Sequence, residues 1–173
     1  MKTKNLFKTI TLSFVLLIGL NVTAQDKNII ETAVASNDHS TLVAAIKAAD
    51  LVGVLSGEGP FTVFAPTNAA FDKLPEGTVQ TLLKSENKLT LQGILTYHVV
   101  SGKFNAKDVI ALIKNGNGKA IIPTVNGGKL TAMIIDGSVY IADENGNKAK
   151  VTAADLDQTN GVIHVIDSVV LPK

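Results

Sequence analysis

The chain contains no cysteine, no tryptophan and no arginine among its 173 residues. Without cysteine the core must hold without disulfides, and thiolate zinc sites are excluded. An oxidising compartment permits disulfides without requiring them, so their absence leaves the address open. Without arginine, all 16 basic residues are lysines, and the side chain that best grips phosphate by paired hydrogen bonds is missing. Nucleic acid is therefore not the expected partner. Aromatic side chains are few, with 6 Phe and 2 Tyr available to line an apolar pocket. A long hydrophobic run is also lacking. The apolar stretch Ile10 to Leu20 carries Thr11, Ser13 and Gly19 and falls short of the roughly 20 residues that a membrane-spanning helix needs.

That stretch has another meaning in context. Lys2, Lys4 and Lys8 precede it with no acidic residue, and Val22 and Ala24 follow it as a small-residue pair. Basic, apolar and small-residue regions in that order are the pattern of a cleavable secretory signal. The expected cut lies after Ala24, giving a signal peptide over 1–24 and one domain over 25–173. Gln25 rather than cysteine heads the expected mature chain, so no lipid anchor attaches there. Cleavage removes three lysines and no acid, leaving 13 lysines against 15 acidic residues, a net charge of −2. No hydrophobic tail or sorting motif stands before Pro172 and Lys173, so a C-terminal anchor is not expected. The expected location is secreted or periplasmic.

No low-complexity tract or solenoid-length repeat interrupts 25–173. Ile29, Ile30, Ala33 and Val34 recur at helical spacing, and Asp38 stands where an N-cap would open a second helix bearing Leu42, Ala45, Ile46 and Ala49. Phe61 to Ala65 reads as a short strand, which Pro66 stops and Thr67 follows as a cap for Asn68 to Lys73. Further helices fit near 78–83 and 89–95, and Tyr97 to Val100 reads as a strand. Asn105, with Asp108 three residues on, opens a helix through Ile113. Strands then dominate: 120–125, 129–135, 138–142, 148–152 and 162–171, several of them separated by Asn126-Gly127, Asp136-Gly137 and Asn145-Gly146 turns. Helices early and antiparallel hairpins late predict an α+β architecture.

Three segments are more specific than periodicity. Phe61-Thr62-Val63-Phe64-Ala65-Pro66-Thr67-Asn68-Ala69-Ala70-Phe71 resembles the first signature of the fasciclin (FAS1) domain family. The run Asn160 to Pro172, Asn-Gly-Val-Ile-His-Val-Ile-Asp-Ser-Val-Val-Leu-Pro, resembles the second, and Tyr97-His98-Val99-Val100 is similar to the Tyr-His segment between them. The order is the family's, and the resemblance spans essentially all of 25–173. It implies a wedge-shaped β-sandwich with several helices packed around one end, and an extracellular adhesion or interaction role with no general catalytic activity. In animal matrix members the Tyr-His segment is linked to integrin binding, whereas the short lysine-led signal and single bare domain here look bacterial.

Each candidate residue also has a structural explanation. If 97–100 is a strand, Tyr97 and Val99 share one face while His98 and Val100 share the other. His98 then reads as a hydrogen-bonded, partly buried imidazole, or alternatively as a partner contact. His164, between Val162 and Ile166 on its face, reads as structural. His39, His98 and His164 show no ligand spacing for a metal, and no cofactor is expected. Asp143, Asn145 and Asn147 mimic the start of a calcium loop, yet Lys148 occupies the sixth position where glycine is needed and Ala154 the twelfth where glutamate is needed. An Asn-Gly turn explains them better, within a hairpin tip from Ala142 to Lys150 that is longer than the family leads one to expect. Ser56 lacks the preceding glycine of a nucleophile elbow, and the stretch from Gly53 to Gly59 has no Gly-Lys-Ser/Thr end.

The sequence thus reads as a non-enzymatic exported module that binds a protein or glycan partner, possibly another copy of itself. Its expected contact residues are Tyr97 and His98 together with the hairpin residues Asn126 and Asn145. The alternative is an extracytoplasmic carrier of a small apolar ligand, suggested by the 46% hydrophobic composition.

Overall fold

The computed structural model describes residues 26–173. The expected signal peptide and its cleavage site lie outside the described residues. Helix α1 (Ile29–Ala35) opens with a reciprocal cap: Asn28 Oδ1 accepts from the Glu31 amide at 2.9 Å, and the Glu31 carboxylate accepts from the Asn28 amide at 2.8 Å. The N-cap expected at Asp38 falls instead inside a 3-10 turn, Asn37–His39, which leads into α2 (Ser40–Ala48). After α3 (Val52–Leu55) comes strand β1 (Phe61–Pro66). The Thr67 hydroxyl accepts from the Ala70 amide at 3.2 Å and opens α4 (Asn68–Phe71). Then follow α5 (Thr78–Leu82), α6 (Lys88–Tyr97), β2 (Val99–Ser101) and α7 (Ala106–Asn115). The remaining strands are β3 (Lys119–Pro123), β4 (Lys129–Ile135), β5 (Ser138–Ala142), β6 (Lys148–Gln158) and β7 (Gly161–Ile166).

The strands form a seven-stranded sheet in the order β2-β1-β7-β6-β5-β4-β3. β1 and β7 are parallel, from Phe61 opposite Gly161 to Pro66 opposite Ile166, and every other neighbour is antiparallel. β6 belongs to both halves. Its residues 148–150 pair with β5, while those from Val151 onward pair with β7. Between Val151 and Leu156 its register shifts twice, and Asp155 there adopts φ 58°. Such bulges bend a strand and tighten its twist, so the sheet folds over on itself. Its ends nearly meet: the Val125 amide, just past β3, donates to the Val99 carbonyl of β2 at 2.8 Å. The two layers expected of a sandwich are thus halves of one continuous sheet.

Alternation along the strands separates two cores. Val63, Ala65, Val99 and Ile163 face the helices, against Ile29, Leu42, Ile46, Leu91 and Leu95. Phe64, Val100 and Ile166 face inward, against Ile122, Leu130, Ile141 and Ala149 of the other half-sheet and against Val109 and Ile113 of α7. The α+β class stands.

Several element boundaries differ from the sequence reading, among them β3, which ends at Pro123 and not Val125, and α4, which ends at Phe71 and not Lys73. Tyr97 ends α6 instead of starting a strand, and His98 caps that helix with φ −82° and ψ −3°. Tyr97 consequently lies in the inner core with Val100, and Val99 in the helix-side core, so the face-sharing expected for a strand does not hold. Burial of Leu91, Ile94, Leu95 and Tyr97 along one helical face outweighs the β preference of the two valines. β6 continues past Thr152 to Gln158 because β7 offers it a partner edge. β7 stops at Ile166, and residues 167–173 form a strap across the end of the fold.

Candidate interaction surface

Tyr97 and His98 sit at the C-terminal end of α6, where the β3–β4 hairpin, the β5–β6 hairpin and the C-terminal strap converge. The Tyr97 side chain is 0% exposed. Its hydroxyl donates to the Lys129 carbonyl at 2.7 Å and accepts from the Glu144 amide at 3.2 Å, so one phenol joins both hairpins to α6. Burial pushes this phenol above its usual range, opposed by the Glu144 amide and reinforced by the Glu144 and Asp143 charges. It stays a neutral donor. Gly128 leaves the space that the ring fills, since a Cβ there would stand 2.7 Å from Tyr97 Cε2.

His98 is 3% exposed. Its Nδ1–H donates to the Ile94 carbonyl at 2.8 Å, and Nε2 accepts from the Val170 amide at 3.3 Å. That pair of bonds fixes the neutral tautomer. Burial lowers its pKa to about 4, against a smaller opposing effect of the Ile94 carbonyl. The structure therefore makes Tyr97 and His98 internal supports, and neither side chain reaches the surface.

Asn126 and Asn145 are exposed at the two hairpin tips. Their side chains nevertheless have internal partners. Asn126 Oδ1 accepts from the Thr124 hydroxyl at 2.6 Å and the Gly128 amide at 2.8 Å, while its Nδ2 donates to Gly93 of α6 at 3.2 Å. Asn145 Nδ2 donates to the Leu171 and Pro172 carbonyls at 3.1 and 3.4 Å. The four residues singled out in the sequence thus converge on one end of the fold, two as supports and two as pinned tips.

Sequence reasoning passed over the role of Asp143. Its Oδ1 accepts from the amides of Asn145 and Asn147, both at 2.9 Å. Its Oδ2 accepts from Asn147 Nδ2 at 3.0 Å and from the Leu171 amide at 3.1 Å. The aspartate and asparagines that mimic a calcium loop therefore fold the hairpin tip and clasp the strap, with both carboxylate oxygens already occupied. The readable signal was a short acidic side chain two residues ahead of an Asn-Gly pair, which is the chemistry of an Asx turn. Among the described residues no group of three or more His, Asp or Glu side chains is placed to hold a metal ion.

A second feature lies where β6 bulges away from β7. A cleft of about 270 Å³ opens between α7 and β5–β7, floored by Phe64, Val109 and His164, with Val139, Val151 and Ser138 toward the rim. His164 is buried; its Nε2–H donates to the Phe104 carbonyl at 2.7 Å and its Nδ1 accepts from the Asp155 amide at 3.3 Å. Its ring lies 5.6 Å from that of Phe64 at a 32° tilt. Asp155, exposed and with a left-handed backbone, also accepts from Ala106 N at the start of α7 at 2.7 Å. Among the described residues no helix is long and apolar enough to cross a membrane.

Comparison with known proteins agrees with this architecture. The chain is 54% identical over 144 residues to protein sll1483 of a Synechocystis species, covering 83% of this chain and 73% of that one. It is 44% identical over 144 residues to protein sll1735 of the same species, covering 83% of this chain and 97% of that one. A solved FAS1 domain pair from the insect cell adhesion molecule fasciclin I superposes with a TM-score of 0.75 at 21% identity, over 84% of this chain and 51% of that one. The model of the fasciclin domain matches residues 37–172. The chain belongs to the fasciclin domain family.

Proposed function

We propose that the chain is an exported, non-enzymatic surface-interaction module, and that it meets a protein or glycan partner, or another copy of itself, through the two hairpin tips beside α6. The observation that carries this reading is the Tyr97 hydroxyl, bonded to Lys129 of one hairpin and to Glu144 of the other. The tips expose Asn126, Gly127, Glu144, Asn145 and Asn147 to solvent, and hydrogen bonds to the buried Tyr97 hold them in one arrangement before any partner arrives. A surface ordered in advance loses less entropy on binding. Membership in a family that includes domains of the insect cell adhesion molecule fasciclin I supports the same reading. Export rests on the signal-like pattern over 1–24, with the periplasm or the cell exterior as destination.

Contact with the partner falls to the exposed tips, and Tyr97 and His98 act by positioning them. The test is binding of fluorescently labelled protein to cells and isolated envelopes of its own host. Paired tip substitutions, Glu144→Lys with Lys148→Glu, should lower binding at least about ten-fold with Tm unchanged, as expected when charges that complement a partner are reversed. Undiminished binding by that variant would sink the tip assignment.

A second reading, carriage of a small apolar ligand, is favoured by one observation, the apolar cleft at the β6 bulge. Native mass spectrometry of the protein from its own host checks it: a reproducible bound mass supports carriage, and a ligand-free protein removes it.

A further inference from the structure

The cleft at the β6 bulge has a physical origin that also defines what it accepts. Where β6 shifts register between Val151 and Leu156, it stops filling the angle between α7 and β7. Asp155, exposed at the bulge, accepts from the Ala106 amide through its carboxylate and donates its own amide to His164, which ties the bulge to α7 and β7 at the edge of the cleft. The floor is formed by buried Phe64, Val109 and His164. Both His164 nitrogens are committed, one as donor to Phe104 and the other as acceptor from Asp155, so the floor offers no free hydrogen-bonding group. Water gains little in such a space. An enclosed apolar cavity of about 150 Å³ holds benzene, whereas this cleft opens to solvent past Gly137 and Ala154. This cleft is larger, at about 270 Å³.

We infer that the cleft is a binding site for a neutral one- or two-ring aromatic molecule carrying at most one polar group. The Phe64 and His164 rings, packed on each other at 5.6 Å, give the floor an aromatic character that suits an aromatic ligand. No lysine, aspartate or glutamate lines the cleft, which disfavours a charged ligand because burial of an unpaired charge is costly. The hydroxyl of Ser138, near the rim, is where the one polar group of the ligand points. The inference rests on the carrier reading and gives it a place in the fold.

The test titrates the purified protein with indole and, separately, with indole-3-acetate, following the methyl resonances of Val109, Val139 and Val151. Indole should shift these methyls with a Kd of roughly 1 mM or tighter, and the anionic analogue should bind at least about ten-fold more weakly. Filling the cleft from its rim with Ala154→Phe, or with Val139→Trp if the first variant melts early, should weaken indole by at least the same factor. Two results overturn the site: no methyl shift up to the solubility of indole, or undiminished binding by both filled variants. If either occurs while protein from the host still carries a bound mass, the ligand sits elsewhere and only this assignment falls. If the host protein is also ligand-free, carriage falls with it.

Discussion

The Val170 amide donates to Nε2 of His98 at 3.3 Å, joining residues 72 positions apart in the sequence. The imidazole, bonded to Ile94 on its other side, is thus the pin between α6 and the C-terminal strap. Only the unprotonated Nε2 can accept. Its pKa lies near 4 in the fold against 6.5 for the free group, so the unfolded chain binds more protons between those values. The contribution of His98 to stability is therefore complete above about pH 6.5 and is lost as pH drops toward 4, by about 3 kcal/mol. His39, lowered mainly by burial, adds in the same direction. Urea unfolding at pH 7, 5.5 and 4 should show the decline, and His98→Gln should flatten it. An unchanged slope in that variant would remove His98 as the cause.

Loss of the Tyr97 hydroxyl separates tip order from core packing. Tyr97→Phe keeps the ring and leaves the Lys129 carbonyl and Glu144 amide without their shared partner. Stability should drop by about 1–2 kcal/mol. Hydrogen exchange should accelerate at Glu144 well before it changes across the β1–β7 pair.

Two adjacent glycines should respond differently to the same change. At Gly128 an added Cβ meets Tyr97 Cε2 at 2.7 Å, whereas at Gly127 it meets open space but must adopt φ 90°. Gly127→Ala should cost about 1–2 kcal/mol from backbone strain alone. Gly128→Ala should cost about 1–3 kcal/mol from overpacking, and a Tyr97→Leu background should shrink that cost in a double-mutant cycle. Thermal unfolding of the set measures both.

Calcium should do nothing. Both Asp143 oxygens already accept two hydrogen bonds each, so millimolar calcium or a chelator should leave Tm unchanged. Asp143→Ala, by contrast, removes all four acceptances from these part-buried bonds and should cost about 1–3 kcal/mol. A calcium-dependent rise in Tm would restore the metal reading.

Much of the fold was legible because local chemistry and tertiary need agree. The strand, stop and cap of Phe61 to Phe71 appear as β1, Pro66 and the Thr67 bond, and Asp108 accepts from the Asn105 amide at 3.0 Å at the head of α7. The Asn-Gly and Asp-Gly turns divide the late strands as expected. Tyr97 and His98 were misread because two valines follow them; a short apolar run has no period of its own, and the burial of α6 decided it. The site was half visible. Asn126 and Asn145 could be placed on hairpin tips, but that one phenol would join both tips depends on contacts 32 and 47 residues apart, which no local pattern encodes. The cleft was invisible, because it arises from a bulge in β6 that only pairing with β7 creates.

The parallel alignment of β1 with β7 also sets a timetable. Phe61 has no β7 partner until Gly161 exists, and Pro66 none until Ile166 does, so the middle of the sheet cannot close while the chain is still being made. Pairing at that sequence distance is slow as well as late. Until then β1 has only the short β2 on its other edge, so the centre of the sheet stays open on one side until synthesis is nearly over.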